Sequence, residues 1–306
     1  MKIQDIKRIL IIGAGTMGQQ IGLLCALNKY DVVMYDISKK VLEKALERIK
    51  NNTGRMLRSK QYSKNEAEDA LLRIMITENE KKAAEDVDLI SESVPEDPEL
   101  KGKVFARFNR LCKAETIFTT NTSSLVPSTF ARESGRPANL CALHFHDVTI
   151  SKIVDVMPHS GTSSQTIELV KGFAEKIGQI PIVLKKEHNG YVFNNMLMAL
   201  LDSSLSLASK GVASVEDIDR SWMGVMHTKS GPFGIMDSVG LETVWKITDY
   251  WAEKRNDDQA RANAGFLKKF VNEGKIGVMS NQGFYKYPDP AFMQPDFLAG
   301  KRNADE

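Results

Sequence analysis

The sequence predicts an α/β fold, a mostly parallel, doubly wound sheet with a helical-hairpin insertion, followed by an all-α C-terminal domain. Three observations predict it. A Gly-rich turn joins a short apolar strand to a helix, strand and helix patterns alternate through the first two-thirds of the chain, and only helical periodicity remains after Lys185. The first strand is the apolar run Ile9–Ile12, ending at Gly13, and a helical pattern spans Met17 to Asn28. A second strand, Asp31–Tyr35, ends at Asp36, and Ser38 reads as the N-cap of a long polar helix running through Lys50. Further strands are expected at Arg73–Thr77, Val87–Ser91, Thr116–Thr119, Leu140–Leu143, Ile153–Met157 and Ile180–Val183. Helical patterns then cover Gly190 to Lys210 and Val215 to Asn272, broken by Gly231-Pro232 and Gly240. The Pro-, Asp- and Gly-rich end is expected to be irregular. This change of pattern places a boundary near Leu184–Gly190 and gives domains of 1–186 and 187–306.

With 306 residues the chain is long enough for two domains, each with its own core. Lys+Arg number 41 against 39 Asp+Glu, so the net charge of +2 gives no electrostatic footprint for nucleic acid. The apolar runs fall well short of the ~20 residues that cross a bilayer, so no membrane partner is expected. The N-terminus is basic and then apolar, but Asp5 and Lys7 interrupt it, and it reads as a first strand rather than a leader. Cys25, Cys112 and Cys141 are odd in number and set in apolar contexts. That usage suits reduced thiols in a cytoplasmic protein and argues against a disulfide scaffold.

Gly13-Ala14-Gly15-Thr16-Met17-Gly18 fits G-x-G-x-x-G in the context that gives the pattern meaning. It follows a strand, opens a helix, and a second strand ends in an acid, Asp36, 18 residues after Gly18. Gly13 permits the tight turn, Gly15 lets the backbone approach a pyrophosphate, and Gly18 packs the helix on the strand. Thr16 and Met17 begin the helix whose N–H groups would meet the phosphates. Asp36 would accept hydrogen bonds from ribose hydroxyls and repel a 2′-phosphate, so the Rossmann-type turn favours NAD over NADP.

Between Asp36 and the third strand lies a polar stretch bearing Lys44, Arg48, Lys50, Arg55, Arg58, Lys60 and Lys64. A minimal βαβαβ unit does not need it, which suggests an inserted helical hairpin. It is either a solvated charged face or an arm for the phosphates of a large anionic substrate.

In open α/β sheets ligands bind beyond the carboxyl ends of the strands, and three polar clusters fall there. Glu92-Ser93-Val94-Pro95-Glu96 follows the fourth strand, with Lys101 a helical turn beyond Glu96. Asn121-Thr122-Ser123-Ser124 follows the fifth, and His144-Phe145-His146-Asp147 the sixth. His144 is the best acid/base candidate because imidazole titrates near neutrality. Asp155, on the next strand, is its natural carboxylate partner. His146 is a rival read on the opposite strand face. His159, His188 and His227 have no singled-out acid context, and no histidine pair has metal-ligand spacing, so no metal is expected. Ser123 lacks a nucleophile elbow and reads as a hydrogen-bond donor.

These motifs together resemble the L-3-hydroxyacyl-CoA dehydrogenase family. The likeness runs through IGAGTMGQQIG at 12–22, ESVPED at 92–97, NTSSL at 121–125, HF at 144–145 and KIVDV at 152–156. It continues through GYVFNNML at 190–197, GPFGIMDSVGL at 231–241 and QGFYKYP at 282–288. The resemblance implies that Gly13, Gly15, Gly18 and Asp36 hold NAD, with Glu96 and Lys101 near the nicotinamide ribose and Asn121 also on the cofactor side. It implies Ser123 on the substrate 3-oxygen, His144 as general acid/base, Asn194 near the substrate carbonyl, and a homodimer through the helical domain. The basic hairpin would hold the CoA phosphates.

Departures fall at the chemistry. The family run is His-Phe-Phe-Asn-Pro with the dyad Glu twelve residues after the His. Here His144-Phe145-His146-Asp147-Val148 is followed by Asp155 at eleven. The expected activity is therefore NAD-dependent interconversion of a short-chain L-3-hydroxyacyl-CoA, such as 3-hydroxybutyryl-CoA, and its 3-keto form. A dehydrogenase of free 3-hydroxy acids such as L-gulonate, or of carnitine, is the alternative, ahead of a non-catalytic NAD-binding protein. The decarboxylating β-hydroxyacid dehydrogenases need a Lys where this chain has Asn194-Asn195.

Overall fold

The computed structural model describes residues 1–58 and 63–300, the side chains of 55–58 excepted. It contains two compact units, Met1–Val192 and Phe193–Glu306. The division falls after Val192 rather than after Lys186, because Tyr191 is tied into the first unit: it is 2% exposed and its hydroxyl donates to the Thr122 carbonyl at 2.8 Å.

The first unit runs β1 (Arg8–Ile12), α1 (Thr16–Leu27), β2 (Asp31–Tyr35), α2 (Lys39–Arg58), α3 (Lys64–Leu72), β3 (Ile74–Thr77) and α4 (Glu80–Ala84). It continues through β4 (Leu89–Glu92), α5 (Pro98–Asn109), β5 (Ile117–Thr120), α6 (Ser128–Ala131), β6 (Leu140–Phe145), β7 (Ile153–Pro158), α7 (Ser164–Lys176) and β8 (Ile180–Val183). The strands form one sheet in the order β3-β2-β1-β4-β5-β6-β7-β8. All neighbours are parallel except β6 and β7, which run antiparallel. Consecutive apolar residues face opposite layers: Ile9 and Ile11 join one core with α1 and α7, while Leu10 and Ile12 join another with Phe105, Phe118 and Phe130. A sheet covered on both faces needs such continuous apolar runs, which is why the strands are legible. The order reverses between β1 and β4, so a crevice opens beyond their carboxyl ends.

Helix starts follow local chemistry. Asp97 caps α5 by accepting the Leu100 N–H at 2.9 Å, with Pro98 in the first turn, and Ser63 and Glu66 form a reciprocal capping box on α3. The Ser38 hydroxyl accepts the Val41 N–H at the start of α2. α2 and α3 pack on α1 and on each other, burying Leu42, Ala45, Ile49 and Ala70. Lys60 of the expected phosphate arm lies outside the described residues, as do the side chains of Arg55 and Arg58.

The second unit comprises α8 (Phe193–Ser209), α9 (Val215–Met226), α10 (Pro232–Val239), α11 (Leu241–Arg255) and α12 (Asp258–Asn272), followed by short turns. Its core holds Leu201, Leu205, Phe233, Met236, Leu241 and Leu267. Two buried aspartates organise it. Asp219 accepts the Phe233 and Gly234 N–H groups at 2.8 and 3.0 Å and the Tyr285 hydroxyl at 2.9 Å. Asp237 accepts the Phe284 and Tyr285 N–H groups and the Tyr287 hydroxyl, so the irregular tail is pinned to α10. A side chain at Gly231 would collide with Asp219, and one at Gly283 with Asp237. No described helix is long and apolar enough to cross a membrane.

Burial pushes the Asp219 carboxyl up to about 6 from 3.8, against the pull of its hydrogen bonds. Its stabilising contribution is therefore complete below about pH 4 and declines as pH rises through about 6. Asp219→Ala is expected to destabilise this unit by about 3 kcal/mol by leaving three buried donors unmatched. Denaturant unfolding should show a wider gap between wild type and variant at pH 4.5 than at pH 7.5; an equal gap would contradict the assignment.

Candidate active site

The Gly-rich turn is built from close backbone contacts. Gly13 has φ +96° and donates its N–H to the Tyr35 carbonyl at 2.8 Å; a Cβ there would lie 2.6 Å from the Ser93 carbonyl oxygen. A Cβ at Gly18 would run into the Gly13 carbonyl, whereas one at Gly15 would meet no protein atom within 4 Å. Gly13 and Gly18 are thus glycine for packing, and Gly15 leaves an open face on the chain. No side chain caps α1, which begins at Thr16. The Met17 side chain is partly buried against the core. Asp36 accepts the Ala14 N–H at 3.0 Å and the Ser38 N–H at 3.1 Å, holding its carboxylate at the lip of the turn. These residues fit a dinucleotide: an unhindered Gly15, an uncapped helix start and a carboxylate beside them.

Beyond β4, two acids surround one buried cation. Glu92 is the last residue of β4 rather than the first beyond it, and is fully buried. The Lys101 ammonium, 1% exposed, lies 2.7 Å from Glu92 Oε1, 3.1 Å from the Val94 carbonyl and 3.4 Å from Glu96 Oε2. Two of its protons are donated, to Glu92 and the Val94 carbonyl, and Glu96 lies at ion-pair distance beside them. Burial pushes the Glu92 carboxyl up, opposed by Lys101 and by the Thr120 hydroxyl. Burial also acts to raise Glu96, but the Thr122 hydroxyl, Lys101 and Ser124 outweigh it and hold this carboxyl below its usual range. Glu96 Oε1 accepts from the Thr122 hydroxyl, from the Ser123 and Ser124 N–H groups at 3.1 Å each, and from the Ser124 hydroxyl at 2.8 Å. One carboxylate therefore organises the whole loop after β5, including exposed Ser123. The Phe145 N–H donates to Asn121 Oδ1 at 2.7 Å, tying the end of β5 to β6 as a positioning contact.

β6 extends to Phe145, two residues past the expected end, so His144 lies within the strand rather than beyond it. The reason is the antiparallel partner: β7 pairs His144 with Asp155 and Phe145 with Val154. Residues directly opposite share a face, and the His144 Nδ1 lies 3.1 Å from Asp155 Oδ2. Spacing of eleven is what this register demands, and Asp155 reaches the imidazole. His146 does not sit on the opposite face. Residues two apart on a strand share a side, and His146 Nε2 lies 3.3 Å from the same Asp155 oxygen. The two imidazole rings meet edge to face at 4.8 Å. Burial acts to raise the Asp155 carboxyl, but hydrogen bonds with the two histidines outweigh it and hold it below the usual range. Asp155 is therefore placed to accept from His144 Nδ1, with His146 Nε2 at ion-pair distance from the same oxygen.

Tyr191 is the functional residue that sequence reasoning passed over. Its ring stacks on His144 at 4.5 Å and 13°, and its hydroxyl holds the Thr122 carbonyl. It stands at φ +53° just after Gly190 at φ +77°, a turn that the Gly-Tyr pair hints at. The Val148 N–H donates to Gln20 at 3.2 Å, joining the histidine loop back to α1. His159, by contrast, bonds the Pro137 carbonyl and the Gly161 N–H and is structural. Asp147 folds onto Thr149 within its own loop. Asn194 belongs to the second unit, at the second position of α8.

A dinucleotide turn at the sheet crevice, with a histidine–carboxylate pair on the same sheet, defines an NAD-dependent oxidoreductase. Residues 8–188 match the family model for the 3-hydroxyacyl-CoA dehydrogenase NAD-binding domain, and 190–287 that for the C-terminal domain. The chain belongs to the 3-hydroxyacyl-CoA dehydrogenase family and is an NAD-dependent enzyme of it. It is 33% identical over 278 residues to a probable 3-hydroxybutyryl-CoA dehydrogenase of Deinococcus radiodurans, covering 90% of this chain and 99% of that one. It is 30% identical to human mitochondrial hydroxyacyl-coenzyme A dehydrogenase, covering 92% and 91%. A solved diketoreductase, described as acting on dicarbonyl compounds, superposes with a TM-score of 0.86 at 33% identity, covering 92% and 99%.

Lys101→Met is expected to cost about 3–5 kcal/mol by leaving Glu92 buried without its cation. Adding Glu92→Gln should recover part of that loss. Chemical denaturation of both variants checks this; a double variant no more stable than the single would contradict the pairing.

Proposed function

We propose that the protein interconverts short-chain L-3-hydroxyacyl-CoA, such as 3-hydroxybutyryl-CoA, and 3-ketoacyl-CoA, with His144 as general acid/base. The observation that carries this is the His144 Nδ1 to Asp155 Oδ2 contact of 3.1 Å on the sheet that bears the dinucleotide turn. Gly13, Gly15, Thr16, Met17, Gly18 and Asp36 would hold NAD, which supplies the hydride acceptor when bound. With its Nδ1–H donated to Asp155, His144 has its Nε2 lone pair ready to take the 3-hydroxyl proton. The imidazolium so formed is stabilised by the Asp155 charge and by the face of Tyr191. In the reverse direction the same nitrogen returns the proton to the carbonyl oxygen. Ser123, held by Glu96, would donate to the 3-oxygen, and Asn194 would stand near the substrate carbonyl. The relatives' names support the thioester, and the basic side chains at Lys44, Arg48 and Lys50 support a seat for CoA phosphates.

A homodimer through the helical unit is supported by its exposed apolar side chains, among them Met196, Val212, Val225 and Trp251. Three free thiols support a reducing, cytoplasmic setting. A second reading, reduction of a free dicarbonyl or oxidation of a free 3-hydroxy acid without CoA, is favoured by two observations. His146 and Asp147 replace the family's Phe and Asn, and the diketoreductase is a relative.

NADH consumption with acetoacetyl-CoA, beside free acetoacetate, separates the two readings. The thioester should turn over and the free acid should not; the reverse result would install the second reading. His144→Gln should lower kcat by about 10²–10⁴-fold with NADH binding unchanged. Neutralising Lys50, Arg55 and Arg58 together should raise KM for the thioester about tenfold, at roughly 0.5 kcal/mol per charge. An unchanged KM would contradict the phosphate seat.

A further inference from the structure

We propose that His144, His146 and Asp155 form a site for one divalent transition-metal ion of the zinc class, and that filling it switches off the acid/base. Among the described residues this is the one group of three His, Cys, Asp or Glu side chains whose ligand atoms converge, all lying within 4.8 Å of one another. The two contacts to Asp155 Oδ2 are 3.1 and 3.3 Å. A tetrahedral ion with bonds of about 2.0–2.1 Å holds its ligands roughly 3.3 Å apart, so two of the three edges already have the required length. Two imidazole nitrogens and one carboxylate oxygen suit zinc, copper or nickel and disfavour magnesium and calcium, which take oxygen ligands. Asp155 is 1% exposed and His146 half-buried, so the ion would reach its carboxylate from the His146 side, with a solvent oxygen completing the shell.

The chemistry balances without an added reactant. Each neutral ring gives the metal the nitrogen that faces Asp155, and its proton moves to the other nitrogen. For His144 that puts a proton on Nε2 and the metal on Nδ1, leaving no lone pair to accept the substrate proton. The inhibitory half of the proposal rests on His144 being the base; the binding half does not.

Titration of the purified protein with Co²⁺, followed by its visible absorption, and calorimetry with Zn²⁺ read binding without activity. One ion per chain is expected, with intense bands of low coordination number. His146→Gln and Asp155→Asn should each weaken binding by at least about tenfold, since even supporting groups around a metal are worth that much. Far-ultraviolet circular dichroism and the thermal midpoint report whether the variants are folded. Zn²⁺ should then abolish thioester turnover in proportion to occupancy, with recovery on adding a chelator. Absent binding, or binding indifferent to both variants, overturns the site; full turnover of the loaded protein overturns the switch. If the metal-free protein reduces no substrate, the function assigned to His144 fails while the titration still decides the metal site.

Discussion

The antiparallel junction of β6 and β7 puts a histidine and an aspartate directly opposite one another, and the site depends on that pairing. Elsewhere the sheet is parallel, and parallel neighbours come from distant segments joined by helices. A hairpin-like pair fixes its register locally, so the distance from His144 to Asp155 is set by strand geometry rather than by a flexible loop. One carboxylate oxygen then orients two imidazoles, and the stacked Tyr191 ring limits how far the first can turn.

The rest of the crevice is assembled around a second buried charge. Lys101 lies between Glu92 and Glu96, and Glu96 gathers the N–H groups of the loop after β5. That loop hands its Thr122 carbonyl to Tyr191, and so to His144. Ser93 walls the Gly13 turn from the same segment. Contacts therefore run from the dinucleotide turn to the imidazole through linked polar groups, buried at Glu92, Lys101 and Thr122 and open to solvent at Glu96, Ser123 and Ser124. Removing Lys101 leaves the Glu92 charge stranded where water cannot replace its partner.

Much of this was legible in the sequence because it rests on local rules. The Gly-rich turn announces its own geometry, and the apolar runs at Ile9–Ile12 and Asp31–Tyr35 read as strands because both sheet faces are covered. His144 and Asp155 were recognisable as a pair from adjoining strands. Harder to read were features fixed by register and burial. β6 continues through His144 because β7 supplies partners, which no propensity of His or Phe announces. Glu92 looks like a loop acid until Lys101, nine residues on, is seen buried against it. Tyr191 acts through a stacking contact with a residue 47 positions away. His146 shares a face with His144 because residues two apart along an extended chain point the same way, which its place just past the end of β6 obscures. Asp219 and Asp237 explain why Gly231 and Gly283 must be glycine, yet nothing in the glycine motifs points to them.

The central claim is that Asp155 fixes the tautomer of His144. Proton–nitrogen correlation spectra of the histidine rings in the metal-free protein at neutral pH test it most directly. The account predicts that His144 carries its proton on Nδ1 and leaves Nε2 bare, with His146 protonated on Nε2. A neutral His144 bearing its proton on Nε2 would show that Asp155 does not set the base, and the mechanism built on that pair would be wrong.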